Sequence, residues 1–218
     1  MSLSKAGHIQ NEAFKTELRM RPNQHGDERT PTDRLLVDVM YRAVRRIKVG
    51  DGDAPASAPD VKLINVSLAD HNRPFARVMS PLGRLLDYLS YRYGVLFLIS
   101  AGNILDRLGV PQYTTSAAFE DADPEEREQA ILLALDANKS QRTIYSPGEA
   151  VNVLTIGAAH KGSAFNGGFP LNLIDPFSDE ALPNIVSALG LGHRKVVKPD
   201  LLLDGGRAPV RVVGTVSR

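Results

Sequence analysis

Three short polar turns each follow an apolar run of the chain, and they carry the side chains best suited to chemistry. They are Ser67–Asp70 (SLAD), Ser100–Asn103 (SAGN) and Gly157–His160 (GAAH). Asn103 is the most informative residue among them, because a primary amide offers two N–H donors from one side chain. A fixed donor of this kind stabilises the negative charge that develops on an oxyanion during acyl transfer. Asparagine is also common in turns, so a purely conformational role stays open.

Strands must bring these turns together, and the sequence predicts four strands. The apolar runs lie at Val61–Leu68, Val95–Ser100, Val151–Ala159 and Leu201–Leu203. The first run is rich in β-branched and apolar residues, which is typical of a strand buried on both faces of a parallel sheet. Strands alternating with helices predict an α/β fold of three layers, a parallel β-sheet flanked by helices. In such sheets ligands bind at the carboxyl ends of the strands, where the three turns are expected.

Three helices are predicted from apolar spacing and terminal residues. The first begins at the N-cap Thr30 and ends before a flexible connection at Gly50–Asp60. The second begins at Ser80, with a proline in its first turn, and ends at Gly94. The third covers Asp123–Asn138, where acidic residues at the start interact favourably with the helix dipole.

One domain accounts for nearly all of the chain. Residues 1–15 are polar and patternless and are expected to form a loose arm. Residues 16–218 form the α/β domain, which opens with a short strand in Thr16–Asn23. An insertion at about 104–147 is expected to lie mostly on the surface, with the third helix inside it.

Charge and composition exclude several classes of partner. The 218 residues carry 26 basic and 25 acidic side chains, so no field attracts nucleic acid or an acidic membrane. No apolar run approaches the ~20 residues of a membrane span, and the first residues lack the apolar core of a signal peptide. A cytoplasmic location is therefore favoured. The basic run in the first helix, expected to be its solvated face, consists of Arg42, Arg45, Arg46 and Lys48.

Neither a metal nor a cofactor is expected. The chain has no cysteine, which excludes disulfides and cysteine-ligated metal. Its five histidines lack the spacing of paired zinc ligands. Glycine-rich stretches occur without the spacing of a phosphate-binding loop. The aspartates form no evident acid/base pair, and Asp87, in the middle of the second helix, is expected to be solvated.

The four apolar runs with their turns resemble a known family when they are taken in order. The segments VKLINVSLAD, VLFLISAGN, VNVLTIGAAH and KPDLLLDGG are similar to the central and later part of a subtilisin-like serine protease catalytic domain. The resemblance covers about Thr16 to Gly206, and it implies a partial subtilisin-like fold. It also implies that Asn103 is the oxyanion-hole asparagine.

The same resemblance implies a cleft for an extended peptide or protein substrate. The segment 67–69 would pair with the substrate backbone. The family usually has glycine at the position of Ala69. A second segment, Ala101 with Gly102, would line the pocket for the residue before the scissile bond. Binding by strand addition relies on main-chain hydrogen bonds, which hold a peptide of any sequence. The substrate-binding residues that the resemblance implies are Ser67, Leu68, Ala69, Ala101 and Gly102.

The catalytic serine, histidine and aspartate motifs of the family have no counterpart in this sequence. The segment His25–Asp27 (HGD) lacks the threonine and the helix that follow the family's histidine. Ser217 in GTVS is not in a strained nucleophile turn. The resemblance therefore implies an internal fragment, inactive alone, whose aspartate and histidine precede residue 1 and whose serine follows residue 218. The apolar face left open without the serine-bearing helix implies self-association.

Two other classes of function stay open. One is a non-catalytic peptide-binding or scaffolding module on a degenerate protease fold, for which natural ends at residues 1 and 218 would argue. The other, more remote, is a Rossmann-like small-molecule enzyme, for which the sequence offers no phosphate loop.

Overall fold

The computed structural model describes residues 33–162, 173–177 and 182–211, together with two short strands at Arg21–Pro22 and Glu28–Arg29 that pair antiparallel. Several predicted features lie outside these residues. They are the arm at 1–15, most of the strand expected in Thr16–Asn23, the segment His25–Asp27, Thr30 and Ser217.

Four parallel strands form the main sheet, in the same order in space as along the chain. They are β1 (Leu63–Val66), β2 (Leu96–Ser100), β3 (Leu154–Ala159) and β4 (Leu201–Asp204). Val66 of β1 pairs with Ile99 of β2, and Ser100 pairs with Ile156 of β3. The expected α/β class, a parallel sheet flanked by helices, is confirmed and is consistent with a three-layer arrangement.

The described residues also form four α-helices. They are α1 (Leu36–Lys48), α2 (Pro81–Tyr93), α3 (Ser116–Glu120) and α4 (Pro124–Ala137). Short 3₁₀ turns follow at Lys139–Gln141 and His193–Lys195. The ends predicted for the second helix are confirmed, because the Ser80 hydroxyl accepts a hydrogen bond from the Gly83 N–H at 2.9 Å and Gly94 adopts a left-handed φ of 60°. At the start of α4, Asp123 accepts from the Glu125 N–H.

The start of α1 differs from the prediction. Its N-cap is Leu35 rather than Thr30, and no side chain caps this end. Leu35 is exposed and contributes nothing to the core. The residue types alone predict an earlier start. Helices in proteins are stabilised mainly by tertiary packing, however, and the buried face of α1 begins only at Val39.

The main core lies between α1, α2 and one face of the sheet, here called the packed face. Alternate strand residues point into it, and burial of each large apolar side chain contributes about 1.5–3 kcal/mol. The buried residues of this core are Met40, Val44, Ile64, Val66, Leu82, Leu86, Leu89, Val95, Phe97, Ile99, Ala150 and Val153.

The opposite side of the sheet, here called the open face, is partly exposed. Its apolar side chains alternate with those of the packed face along β1 and β2. The exposed fractions are 50% for Leu63, 40% for Leu96, 48% for Leu201 and 57% for Leu203. The prediction that the first strand is buried on both faces is therefore wrong, because α1 and α2 cover one side of it and β1 lies at an edge of the sheet.

Short antiparallel ladders connect the larger elements. Gly50–Asp51 pairs with Ala54–Pro55, so the segment predicted as a flexible connection contains a hairpin. Lys48 also donates hydrogen bonds to the carbonyls of Pro59 and Val61, which ties the end of this segment to α1. The other ladders join Asp70–Pro74 to Tyr145–Ser146, Gly190–Leu191 to Val197–Lys198, and Leu173–Ile174 to Val210–Arg211.

A second, smaller core lies outside the main sheet. Phe119 and Ile131, both within the insertion at 104–147, pack with Phe177 and Ile185 from later in the chain. The insertion therefore has its own apolar contacts and is joined to the segments that follow β3.

Candidate functional site

The carboxyl ends of β1, β2 and β3 lie side by side, and they bring the three polar turns to one edge of the sheet. Ser67 directly follows Val66, whose register partner Ile99 directly precedes Ser100. Ala101 belongs to a small apolar cluster with Tyr145, and Ala69 packs against that cluster. Two of the segments predicted to bind substrate therefore share one local environment.

The SAGN turn is held by backbone hydrogen bonds on both sides. The Ala101 N–H donates to the Ile156 carbonyl at 2.9 Å, and the Ala101 carbonyl accepts from the Tyr145 N–H at 3.0 Å. Gly102 has a φ of 103°, which L side chains rarely adopt, and a Cβ there would lie 2.5 Å from the Tyr145 ring. This position therefore requires glycine, and the turn is rigid where it leaves β2.

Asn103 lies at the exposed end of this rigid turn. It forms an isolated antiparallel bridge with Ser187, and the next residue, Ile104, is buried and donates to the Val186 carbonyl at 2.8 Å. Asn103 itself is exposed, and its side-chain amide makes no hydrogen bond to any residue in the described part of the chain. An amide donor held by a fixed backbone meets the main requirement for preorganised charge stabilisation.

Ser67 to Ala69 leave β1 without continuing its ladder. Ser67 is exposed and its hydroxyl accepts from the Asn65 amide at 3.1 Å, while Leu68 and Ala69 are partly buried. The backbone then enters the exposed strand Asp70–Pro74, which pairs with Tyr145–Ser146. The predicted backbone-binding segment thus lies between an edge strand of the sheet and an exposed ladder.

His160, at the end of β3, belongs to a polar network that sequence reasoning missed. Its imidazole is fully buried, and Nε2 lies 2.7 Å from Asp175 Oδ1. Arg207 Nε donates to the other carboxylate oxygen at 2.6 Å, and Arg207 Nη2 donates to the Phe177 carbonyl. The ring has no exposed surface, and the network joins three distant loops. No local spacing signals it, since the partners lie 15 and 32 residues apart.

A second polar network supports β3 from its amino end. Lys198 is 2% exposed, and its ammonium donates to the Val153 carbonyl at 3.1 Å and to Asp200 at 2.7 Å. The same oxygen of Asp200 accepts from the Thr155 N–H at 2.7 Å. A lysine that pairs with a carboxylate and donates to a carbonyl can be buried at tolerable cost, so the role of this group is structural.

Asp87 is not simply solvated, as its place within α2 predicted. Its carboxylate accepts from the Asn152 N–H at 2.6 Å and from the Val151 N–H at 3.3 Å. These contacts fix the turn that leads into β3. The partners are more than 60 residues away, so helical periodicity gave no sign of them.

The electrostatics near the site are modest. Burial raises the pKa of the Tyr145 phenol, and the charge of Asp106 raises it further, so the ring stays neutral under ordinary conditions. Within the described ranges, no group of three or more histidine, aspartate or glutamate residues is arranged to hold a metal ion. Among the helices of those ranges, none has the length and apolar character needed to cross a bilayer.

Comparison of the chain with protein-family models, with curated proteins and with solved structures found no match.

Proposed function

We propose that the chain is part of the catalytic domain of a subtilisin-like serine endopeptidase. The observation that carries this proposal is the juxtaposition of two turns at adjacent strand ends, SLA after β1 and SAGN after β2. Asn103 follows the rigid glycine of the second turn with its amide exposed. An enzyme that hydrolyses a peptide by acyl transfer needs such a donor beside an extended substrate.

In the proposed reaction, a serine hydroxyl attacks the scissile carbonyl and forms a tetrahedral intermediate with a negatively charged oxygen. The Asn103 amide donates a hydrogen bond to that oxygen. Collapse of the intermediate expels the amine, and water then hydrolyses the acyl-enzyme. The serine, histidine and aspartate of this reaction would be supplied by sequence outside the 218 residues.

The substrate would lie along the other two predicted segments. The backbone of Ser67–Ala69 would pair with the substrate, and Ala101 with Gly102 would line the pocket for the residue before the scissile bond. Support for this placement comes from the shared apolar cluster of Ala69 and Ala101, which puts both segments on one side of the strand ends.

The test is peptide hydrolysis by the full-length protein that contains this chain, compared with its Asn103→Ala and Asn103→Asp variants. The aspartate variant keeps the side-chain size but loses both N–H donors. We expect kcat to fall by about 10²–10³ in each variant with little change in KM, because the donor acts in the transition state. Asn72→Ala, which removes another exposed amide, is the matched control and should leave kcat unchanged.

Equal rates for the wild type and Asn103→Asp would remove the assigned role. The alternative, a non-catalytic peptide-binding module, predicts a different result: the full-length protein would bind extended peptides but never cleave them. Fluorescence polarisation with a labelled peptide, run beside the hydrolysis assay, distinguishes the two.

We also propose that a second copy of the chain covers the open face of the sheet. Contiguous exposed apolar surface on a soluble protein marks an interaction site. The support is the row of partly exposed leucines contributed by β1, β2 and β4.

A further inference from the structure

A cavity of about 210 Å³ lies between α4 and the segment 183–189, away from the SLA and SAGN turns. Half of the described residues that line it are apolar, and the others are polar or charged. An apolar cavity of about 150 Å³ accommodates a molecule the size of benzene. This cavity is therefore large enough for an aromatic ring with a short substituent. Its apolar lining consists of Leu132, Leu135, Pro183, Ile185 and Leu189.

Arg142 lines the same cavity and is unusual because its charge is buried. The residue is 7% exposed, and its Nη2 donates to the carbonyl of Ile185, another lining residue. Within the described part of the chain, no carboxylate lies within salt-bridge distance of this guanidinium. Burial of a charge without a counter-charge is costly, so the site favours an anion.

The acidic residue of the lining does not neutralise Arg142. Asp136 forms an ion pair of 2.8 Å with Lys139, and both side chains are largely exposed at the rim. Among the described lining residues, one positive charge is therefore left unbalanced. Burial lowers the pKa of Arg142, and the more distant charge of Asp106 offsets this only in part, although a guanidinium remains protonated at any ordinary pH.

We propose that this cavity binds a small monocarboxylate with an aromatic or branched aliphatic body, and that the carboxylate pairs with Arg142. A guanidinium binds a carboxylate through two parallel N–H···O hydrogen bonds, which fixes the orientation of the ligand. The apolar walls then bury its body. The site goes beyond the proposed peptidase function, and neither depends on the other.

Two sources supply this chemistry: a free small carboxylate and the carboxyl terminus of a peptide that ends in an apolar residue. Titration calorimetry with the 218-residue chain uses phenylacetate as the probe for the first. A tetrapeptide ending in phenylalanine, with a free or an amidated carboxyl group, is the probe for the second. Binding of phenylacetate alone assigns a free carboxylate, and binding of the free-carboxyl peptide as well assigns a terminus.

Three comparisons test the pairing. Phenylacetamide, which has the same shape without the charge, should bind about tenfold to a hundredfold more weakly than phenylacetate. Arg142→Met should weaken phenylacetate binding by a similar factor. Leu132→Trp should fill the cavity and abolish binding, whereas Leu133→Trp, an exposed neighbour on α4 outside the lining, should not.

Circular dichroism checks that each variant is folded. If Arg142→Met does not fold, the phenylacetamide comparison and the two tryptophan variants decide the question. Failure of the wild type to bind phenylacetate at millimolar concentration would overturn the proposal, as would equal affinity for phenylacetamide. None of these results bears on peptide hydrolysis by the full-length protein.

Discussion

The two faces of the central sheet have nearly the same apolar composition but different surroundings. On the packed face, Phe97 and Ile99 of β2 are buried under α1 and α2. On the open face, Leu96 of the same strand and Leu203 of β4 keep a large part of their surface in water. Neighbouring residues of one strand therefore differ in environment because the covering elements differ, and not because their hydrophobicity does.

This difference shows what an unbroken apolar run means. A strand in which apolar and polar residues alternate predicts that one face meets water. The run Val95–Ile99 is apolar throughout, so it does not predict which face is exposed. Apolar residues on an exposed sheet face are usually explained by a covering partner. The open face therefore supports the proposal of a second copy, while the packed face is covered by α1 and α2.

The largest expected effect tests the two faces within one strand. Phe97→Ala should lower the free energy of unfolding by about 3–5 kcal/mol, because the ring is fully buried and leaves a cavity. Leu96→Ala, its neighbour on the open face, should lower it by only about 1 kcal/mol. Urea denaturation followed by circular dichroism measures both. Similar losses in the two variants would show that the faces are equally buried in solution.

The elements on the packed face could be predicted from the sequence, because their signals are local. The spacing of Leu82, Leu86 and Leu89, with Ser80 and Gly94 at the ends, defines α2 without any knowledge of its partners. The same holds for the four strands and for their parallel arrangement. What could not be predicted is which side of the sheet remains open, since this depends on how α1 and α2 pack.

The candidate site could be predicted in part. SAGN and SLA could be placed at strand ends because each directly follows an apolar run. The contacts that hold them could not, because Tyr145 reaches Gly102 from more than 40 residues away. The cavity at Arg142 could not be predicted either, because α4 and the segment 183–189 meet only in the folded chain. Helices and strands can therefore be predicted from local sequence patterns, whereas the sites depend on contacts between residues far apart in the sequence.

A middle-sized effect is expected at the carboxyl edge, where polar contacts replace apolar packing. Asp175→Asn should lower the free energy of unfolding by about 1.5–3 kcal/mol, because His160 and Arg207 lose a charged acceptor. The matched control is Asp204→Asn, whose exposed partner Lys161 is 3.9 Å away; its loss should be between about 0 and 1 kcal/mol. Thermal unfolding of both variants provides the comparison. Equal losses would mean that the buried network adds nothing over a surface ion pair.

The smallest effect on stability is expected on the open face, although the change in association should be clear. Leu203→Lys places a charge on β4 where the side chain is already exposed, so the free energy of unfolding should change by about 0.5 kcal/mol or less. If a second copy covers this face, the charge must be desolvated in the complex, and association should weaken by tenfold or more. Sedimentation velocity at micromolar concentration measures this shift. Tyr91→Lys, an exposed change on α2 away from the open face, should leave association intact. A wild-type chain that sediments as a compact monomer over the same range would contradict the role given to the open face.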